Sequence, residues 1–358
     1  MVTAHINRIA TAVPRYEVHD TFLAFARSLL AGRPRIANLF ERMADKAQIE
    51  RRYSSLQPAA VPDGKSVDAD GFYTRGRFPG TGARMAKYEE AAGPLAAAAV
   101  DRLGLRPAEL ARVSHIIVTT CTGFSAPGID LHLVETFGLS RSVERTVVGF
   151  MGCFAALNAL KLARHIVRSE PDARVLVVNL ELCTLHLQET TELEPVLSFL
   201  LFGDGCAASM VSAEPEGIAL DRFHTVIAPG TADLITWRIR DAGFDMVLSG
   251  RVPAAVGDAL GQEIEAILDG GDRRSIDLWA VHPGGRSVLD AAERALALDP
   301  RALDWSRDVL RSHGNLSSAT IMFVLEAMLR RGRAGQRGCG LAFGPGLTAE
   351  TMLFHLAT

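Results

Sequence analysis

The sequence predicts an α/β fold assembled from two similar halves, and three observations predict it. Short β-branched runs alternate with segments whose apolar residues recur at helical spacing. The same strand, helix, strand order comes back in the second half of the chain. In both halves, side chains that can do chemistry fall at the ends of these elements. Such alternation places helices in layers against sheets.

Taken in order, "SHIIVTT" (114–120), "RVLVVNLEL" (174–182) and "IDLWAVH" (276–282) are short apolar runs of the kind that form buried strands. Between them, "IDLHLVETFGL" and "GCFAALNALKLARHIVRSE" carry apolar residues at helical spacing. The stretch 54–82, rich in Gly, Pro and Asp, reads as a surface excursion and not as a linker. Cys121 ends the first strand and Cys153 opens a helix 32 positions later; His282 ends the third and Asn315 opens "NLSSATIMFVLEAMLRRG" 33 positions later. This repeat pairs Gly152-Cys153 with Gly314-Asn315 and divides the chain near Ala213–Gly217. Residues 1–213 then form the half with the cysteine, and 214–358 the half with the histidine and asparagine. Two helix N-termini meeting at a pseudo-two-fold axis would bring Cys153, His282 and Asn315 to one site.

A chain of 358 residues, 48% hydrophobic, is long enough for two such cores. Its formal charge of −3 gives no general attraction to nucleic acid or to membrane phosphate, and Arg330-Arg331-Gly332-Arg333 reads as a solvated helix end. The start, "MVTAHINRIATAVPRYEV", has no secretory pattern, and no apolar run approaches the roughly 18 residues of a membrane span. The five cysteines (121, 153, 183, 206 and 339) form neither a CxxC pair nor a zinc-ligand spacing, so no metal is expected. An odd set of thiols suits a reducing cytoplasm.

A thiol at a helix N-terminus beside an imidazolium is shifted toward thiolate. On this reading His282 activates Cys153, and the Asn315 amide donates to a developing oxyanion or enolate. These parts suit a decarboxylative condensation: Cys153 takes an acyl group, a malonyl thioester loses CO₂, and the enolate carbon attacks the bound thioester. A papain-type protease uses the same three residue types, but its local signature around the cysteine is missing. Each residue also has a plainer role, as an inert core thiol, a strand-end histidine and an N-cap. "LFGDG" (201–205) and "AFGPGL" (342–347) read as tight turns against a ligand; neither has phosphate-loop or dinucleotide spacing.

With these residues laid out, the chain resembles the type III polyketide synthases, the chalcone synthase-like branch of the thiolase superfamily. The resemblance runs nearly full length, through "FERMADKAQIERRY" (40–53), "GCFAALNALKLA", "ARVLVVNLEL", "LFGDG", "HPGG", "HGNLSSA" and "FGPGLTAET". It implies a five-layered αβαβα fold of two pseudo-symmetric halves, a homodimer, and a Cys153–His282–Asn315 triad. It also implies CoA thioesters as substrates, acyl-CoA and malonyl-CoA, with no metal and no bound cofactor.

Further positions follow from the resemblance. Arg42 and Lys46 would contact CoA phosphates, a third family lysine being Leu39 here, and Ser287 would lie along the CoA tunnel. Phe202 matches a gatekeeper, and Met246 stands at the second gatekeeper. Cys121, Cys183 and His186 stand where plant enzymes carry threonines, and Trp237 where they carry glycine. These changes point to a fatty acyl starter and to the bacterial enzymes that make alkylpyrones or alkylresorcinols. A relay of hydroxyls for aldol closure would read Cys121, Glu181 and Ser317, which favours lactone closure. A ketoacyl synthase making one condensation, and an idle acyl-CoA-binding relative, are the alternative readings.

Overall fold

The computed structural model describes residues 2–60 and 64–357. The elements that position the site are these. The first half holds β1 (His5–Ala12), α1 (Pro34–Ala47), α2 (Thr81–Asp101), β2 (His115–Thr120) and α3 (Ile129–Phe137). It continues through β3 (Glu144–Gly149), α4 (Ala155–Ser169), β4 (Val175–Leu182) and β5 (Asp204–Ser212). The second half holds β6 (Ile218–Ile227), a hairpin of β7 (Ile235–Arg240) and β8 (Gly243–Leu248), α5 (Val252–Ile267) and β9 (Leu278–Val281). It ends with α6 (Arg286–Ala295), α7 (Asp304–His313), α8 (Thr320–Arg331), β10 (Arg337–Gly344) and β11 (Thr348–Leu356).

Nine strands join in the order β9-β10-β11-β6-β1-β5-β4-β2-β3. The halves meet where β1 pairs with β6 over only two residues, His5 with Ala219 and Ile6 with Ile218. Within each half the pairing is mixed: β2 runs parallel to β3 and β4, β9 parallel to β10, and the remaining pairs are antiparallel. Helix α4 packs on β2, β4 and β5 of one half and on β11 of the other, while α8 reaches β1, β5 and β9. These two helices form the central layer. Helix α2 covers β1, β4 and β5 from outside, and α5 and α6 cover the second half, which gives the five layers αβαβα.

The sequence explains who sits where. A helix between two sheets must be apolar on most of its circumference, and α8 buries Ile321, Met322, Phe323, Val324 and Leu325 in succession. In α4 the buried face is rich in alanine (Ala155, Ala156, Ala159, Ala163), which lets both sheets close on it. All eight side chains of β4 are buried, so its run is continuous and not alternating.

Two expectations change. The stretch 54–82 is not only a surface excursion: Val67 and Tyr73 are fully buried, and the Tyr73 hydroxyl donates to the Thr184 carbonyl at 3.1 Å. Its apolar residues have enough surface to dock, and Arg84 donates to the Tyr73 oxygen from below at 3.0 Å; residues 61–63 of this stretch lie outside the described residues. The pairing of Gly152-Cys153 with Gly314-Asn315 also slips. A 3₁₀ turn, Gly152–Phe154, leads into α4, and the equivalent turn before α8 is Ser317–Ala319. Gly152 and Ser317 both take positive φ, +76° and +49°. Asn315 therefore lies three residues ahead of Cys153's structural counterpart, Ser318, in the loop before the turn.

Candidate active site

Cys153, His282 and Asn315 line one cavity. Cys153 is carried on the turn into α4, and its sulfur lies 3.8 Å from the Ser317 hydroxyl. Gly152 makes the position attainable: its φ of +76° is costly for other residues, and a Cβ there would lie 2.2 Å from Pro345 Cδ. His282 follows β9, with its N–H donating to the Leu341 carbonyl at 2.7 Å. The Asn315 loop is clamped to the Leu201–Gly203 backbone: Asn315 N–H donates to Leu201 O (2.8 Å) and Gly203 N–H donates to Asn315 O (3.1 Å). The Asn315 side-chain Oδ1 accepts from Ser317 N–H at 2.8 Å, which turns the NH₂ toward the Gly284 carbonyl and the cavity.

Burial sets the protonation of this group, against the sequence expectation of a depressed thiol. Loss of solvent pushes the Cys153 thiol up to about 12, partly offset by the Ser317 hydroxyl. The same desolvation pushes His282 down to about 3. Both are therefore neutral. Neither ring nitrogen of His282 has a hydrogen-bond partner among the described residues, although the ring is almost wholly buried. A buried group with both nitrogens unpaired is expensive to keep, so this imidazole leaves two polar atoms unsatisfied in the cavity that Cys153 lines. Proton transfer would create two opposite charges, each penalised alone and each stabilised by the other.

Cys153 also borders a second, smaller and more apolar cavity of about 80 Å³, which the two cavities' shared walls of Leu197, Leu201, Phe202, Met246 and Leu248 join to the first. Cys121, Cys183, His186 and Trp237 line only this second cavity. Trp237 and Met246 face each other across the β7–β8 hairpin. The end wall is rigid: His186 Nε2 donates to the Thr122 carbonyl (2.6 Å), and its Nδ1 accepts from Phe244 N–H (3.1 Å). That ring stacks on Phe244 at 4.1 Å, and Trp237 Nε1 donates to the Cys121 carbonyl at 2.7 Å. Desolvation pushes His186 down to about 3, so it stays neutral. The Cys121 sulfur accepts from Gly152 N–H at 3.1 Å, tying the end of β2 to the nucleophile's turn.

Cys121, Glu181 and Ser317, the positions of the weakened relay, are not joined side chain to side chain. Glu181 accepts from Ser318 Oγ (2.6 Å), Thr122 Oγ1 (3.0 Å) and the backbone N–H of Cys121 (2.9 Å), while Ser317 turns to Cys153. The positive φ of Ser317 sends the two adjacent serines opposite ways. Burial raises the Glu181 carboxyl to about 7.

At the wider mouth stand Lys46 and Ser287, together with Arg286. Arg42 is exposed and lies outside that lining, its Nε reaching only the Asn38 carbonyl at 3.4 Å. Sequence reasoning missed Thr122, Ser318 and Arg286. It also missed Arg52, fully buried, whose Nη1 donates to the Phe202 carbonyl at 3.0 Å and braces the backbone that carries Phe202. No spacing signal marks these residues; adjacency to recognised motifs, in "CTGF", "NLSSA" and "HPGGRS", is the only pointer.

Residues 3–215 match the family model for the N-terminal domain of chalcone and stilbene synthases, and residues 220–358 match the C-terminal domain. An "alpha-pyrone synthesis polyketide synthase-like Pks18" of Mycobacterium tuberculosis is 34% identical over 99% of this chain and 91% of its own length. A bisdemethoxycurcumin synthase of Oryza sativa is 34% identical over 88% of this chain and 82% of its own. The solved structure of PKS-I from the brown alga Ectocarpus siliculosus superposes with a TM-score of 0.87, at 31% identity and 99% coverage of both chains. With both family models filling the chain and the thiol, imidazole and amide converging on one cavity, the protein belongs to the chalcone and stilbene synthase family and is a type III polyketide synthase.

Proposed function

We propose that the enzyme loads a fatty acyl group from acyl-CoA onto Cys153, extends it with malonyl-CoA and releases an alkyl α-pyrone. The observation that carries this reading is the pair of unpartnered His282 nitrogens and the Asn315 NH₂ in the cavity that holds Cys153. In loading, the thiol proton passes to His282, the sulfur attacks the acyl carbonyl, and the CoA thiol leaves with that proton. In extension, the malonyl C–C bond breaks to release CO₂, and the resulting enolate oxygen receives hydrogen bonds from His282 and Asn315. The enolate carbon then bonds to the acyl carbon and expels the Cys153 sulfur. Coenzyme A thioesters are substrates here, and no bound cofactor enters any step.

The second cavity supports the aliphatic starter. Its walls of Leu197, Leu201, Ile235, Met246 and Leu248 offer dispersion contacts and few hydrogen bonds. Glu181 bonds away from the Cys153-facing Ser317, so no hydroxyl chain from it reaches the nucleophile through that serine. This supports lactone closure, in which an enol oxygen of the chain attacks its own thioester without added water. Incubation with a long-chain acyl-CoA and malonyl-CoA should give α-pyrones by mass spectrometry, and Cys153→Ala should abolish radiolabelled acyl transfer. Resorcinols alone would overturn the lactone product; a single two-carbon extension, made only with a carrier-protein extender, would favour the ketoacyl synthase reading.

The described residues contain no helix long and apolar enough to cross a membrane. The five unpaired cysteines support a reducing, cytoplasmic setting. A homodimer is supported by the edge strand β3, where Val147 is 48% exposed beside Phe124 (38%) and Met151 (39%). An uncovered edge with three large apolar side chains invites a second copy.

A further inference from the structure

The mouth of the wider cavity carries two cations, Lys46 and Arg286, against one carboxylate, Asp290. That carboxylate is already engaged: Arg307 Nη2 lies 2.8 Å from Asp290 Oδ1, whereas Arg286 Nε stands 3.5 Å from Oδ2. Arg286 Nε is shielded from solvent and makes no hydrogen bond among the described residues. Its Nη1 donates to the Lys46 carbonyl at 3.2 Å, so the guanidinium is tethered beside Lys46 across the gap between α1 and α6. The result is a positioned, incompletely neutralised guanidinium at the entrance to a cavity that ends at Cys153.

We infer that Arg286 grips the diphosphate of the incoming CoA thioester. A diphosphate carries about two negative charges, more than Lys46 alone offsets, and the planar fork of arginine matches phosphate oxygens better than an ammonium does. Held there, the diphosphate fixes how far the pantetheine arm reaches toward Cys153. The residue acts on thioester capture and not on bond making. This inference rests on the CoA-thioester reading of the site.

The test compares substrates with and without phosphates. Arg286→Ala should raise KM for malonyl-CoA about tenfold or more, in line with loss of a charge-assisted pair, with kcat within about twofold. KM for malonyl-pantetheine, which has no phosphate, should not change, and Arg286→Lys should recover part of the loss. An unchanged KM for malonyl-CoA, or an equal rise for both substrates, would overturn the assignment. Calorimetric titration with CoA itself separates the inference from the proposed function. Weaker CoA binding by Arg286→Ala upholds the clamp even if no polyketide forms, and equal CoA binding by both proteins refutes it.

Discussion

Cys153 and His282 line one cavity, and neither is charged at rest. Desolvation holds the thiol near 12 and the imidazole near 3; on the proposed function, the thiolate forms by handing its proton to His282. His282→Gln should therefore slow alkylation of Cys153 by iodoacetamide about a hundredfold or more at pH 7, the lower range for losing a positioned base. Slow decarboxylation of malonyl-CoA should survive, because Asn315 still donates to the enolate. Equal and complete loss of both in a folded variant would show that the two residues do not have separate roles. Ser317 and Ser318 carry a related lesson: one backbone angle, not residue type, decides that the first faces the thiol and the second faces Glu181.

The turn into α4 places Cys153, and it depends on Gly152. Gly152→Ala would force a Cβ to 2.2 Å from Pro345 at a φ of +76°. Strain of this kind costs about 1–3 kcal/mol before any clash is counted. We expect a lower denaturation midpoint and an activity loss larger than the stability loss explains, since Cys153 moves with the turn. A variant with wild-type melting and turnover would show that the turn relaxes freely. The edge strand β3 makes a separate prediction. Val147→Arg places a charge on the exposed apolar strip and should convert the protein to monomer in sedimentation velocity; an unchanged dimer would place the interface elsewhere.

For the molecule as a whole, buried titratable groups set the pH range of stability. His19, His186 and His282 are lowered to about 4, 3 and 3, so each contributes stability that is complete above the ordinary histidine value near 6.5 and is lost as pH falls toward those values. Glu181 and Asp204 are raised to about 7 and 6, so their contribution has the opposite sign: present below the ordinary carboxylate range and lost as pH rises through 6 to 7. Between about pH 6 and 4.5 the unfolded chain gains protons on three histidines while the folded chain already holds them on two carboxyls, so the carboxyls offset only part of the histidine loss. The urea midpoint should therefore fall steadily as the pH drops from about 6 toward 4. A level midpoint across that range would contradict these assignments.

The α/β class, the strands 114–120, 174–182 and 276–282, and the three residues that line one cavity were legible because they rest on local periodicity and on ordered motifs. A buried strand such as Val175–Leu182 announces itself by an unbroken apolar run, and Gly152-Cys153 by its place at the head of an amphipathic pattern. The register of the repeat was not legible. Asn315 stands five residues ahead of α8 while Cys153 stands two ahead of α4, because the Asn315 loop is fixed by hydrogen bonds to Leu201 and Gly203, more than a hundred positions away. The protonation of the site was also hidden, since it is set by how completely the layers exclude water from Cys153 and His282. The same holds for Arg286, whose tether to Lys46 crosses from one half of the chain to the other. Local pattern names the elements and the chemistry they carry; the distances, the burial and the partners come from contacts between residues far apart in the chain, which no local pattern records.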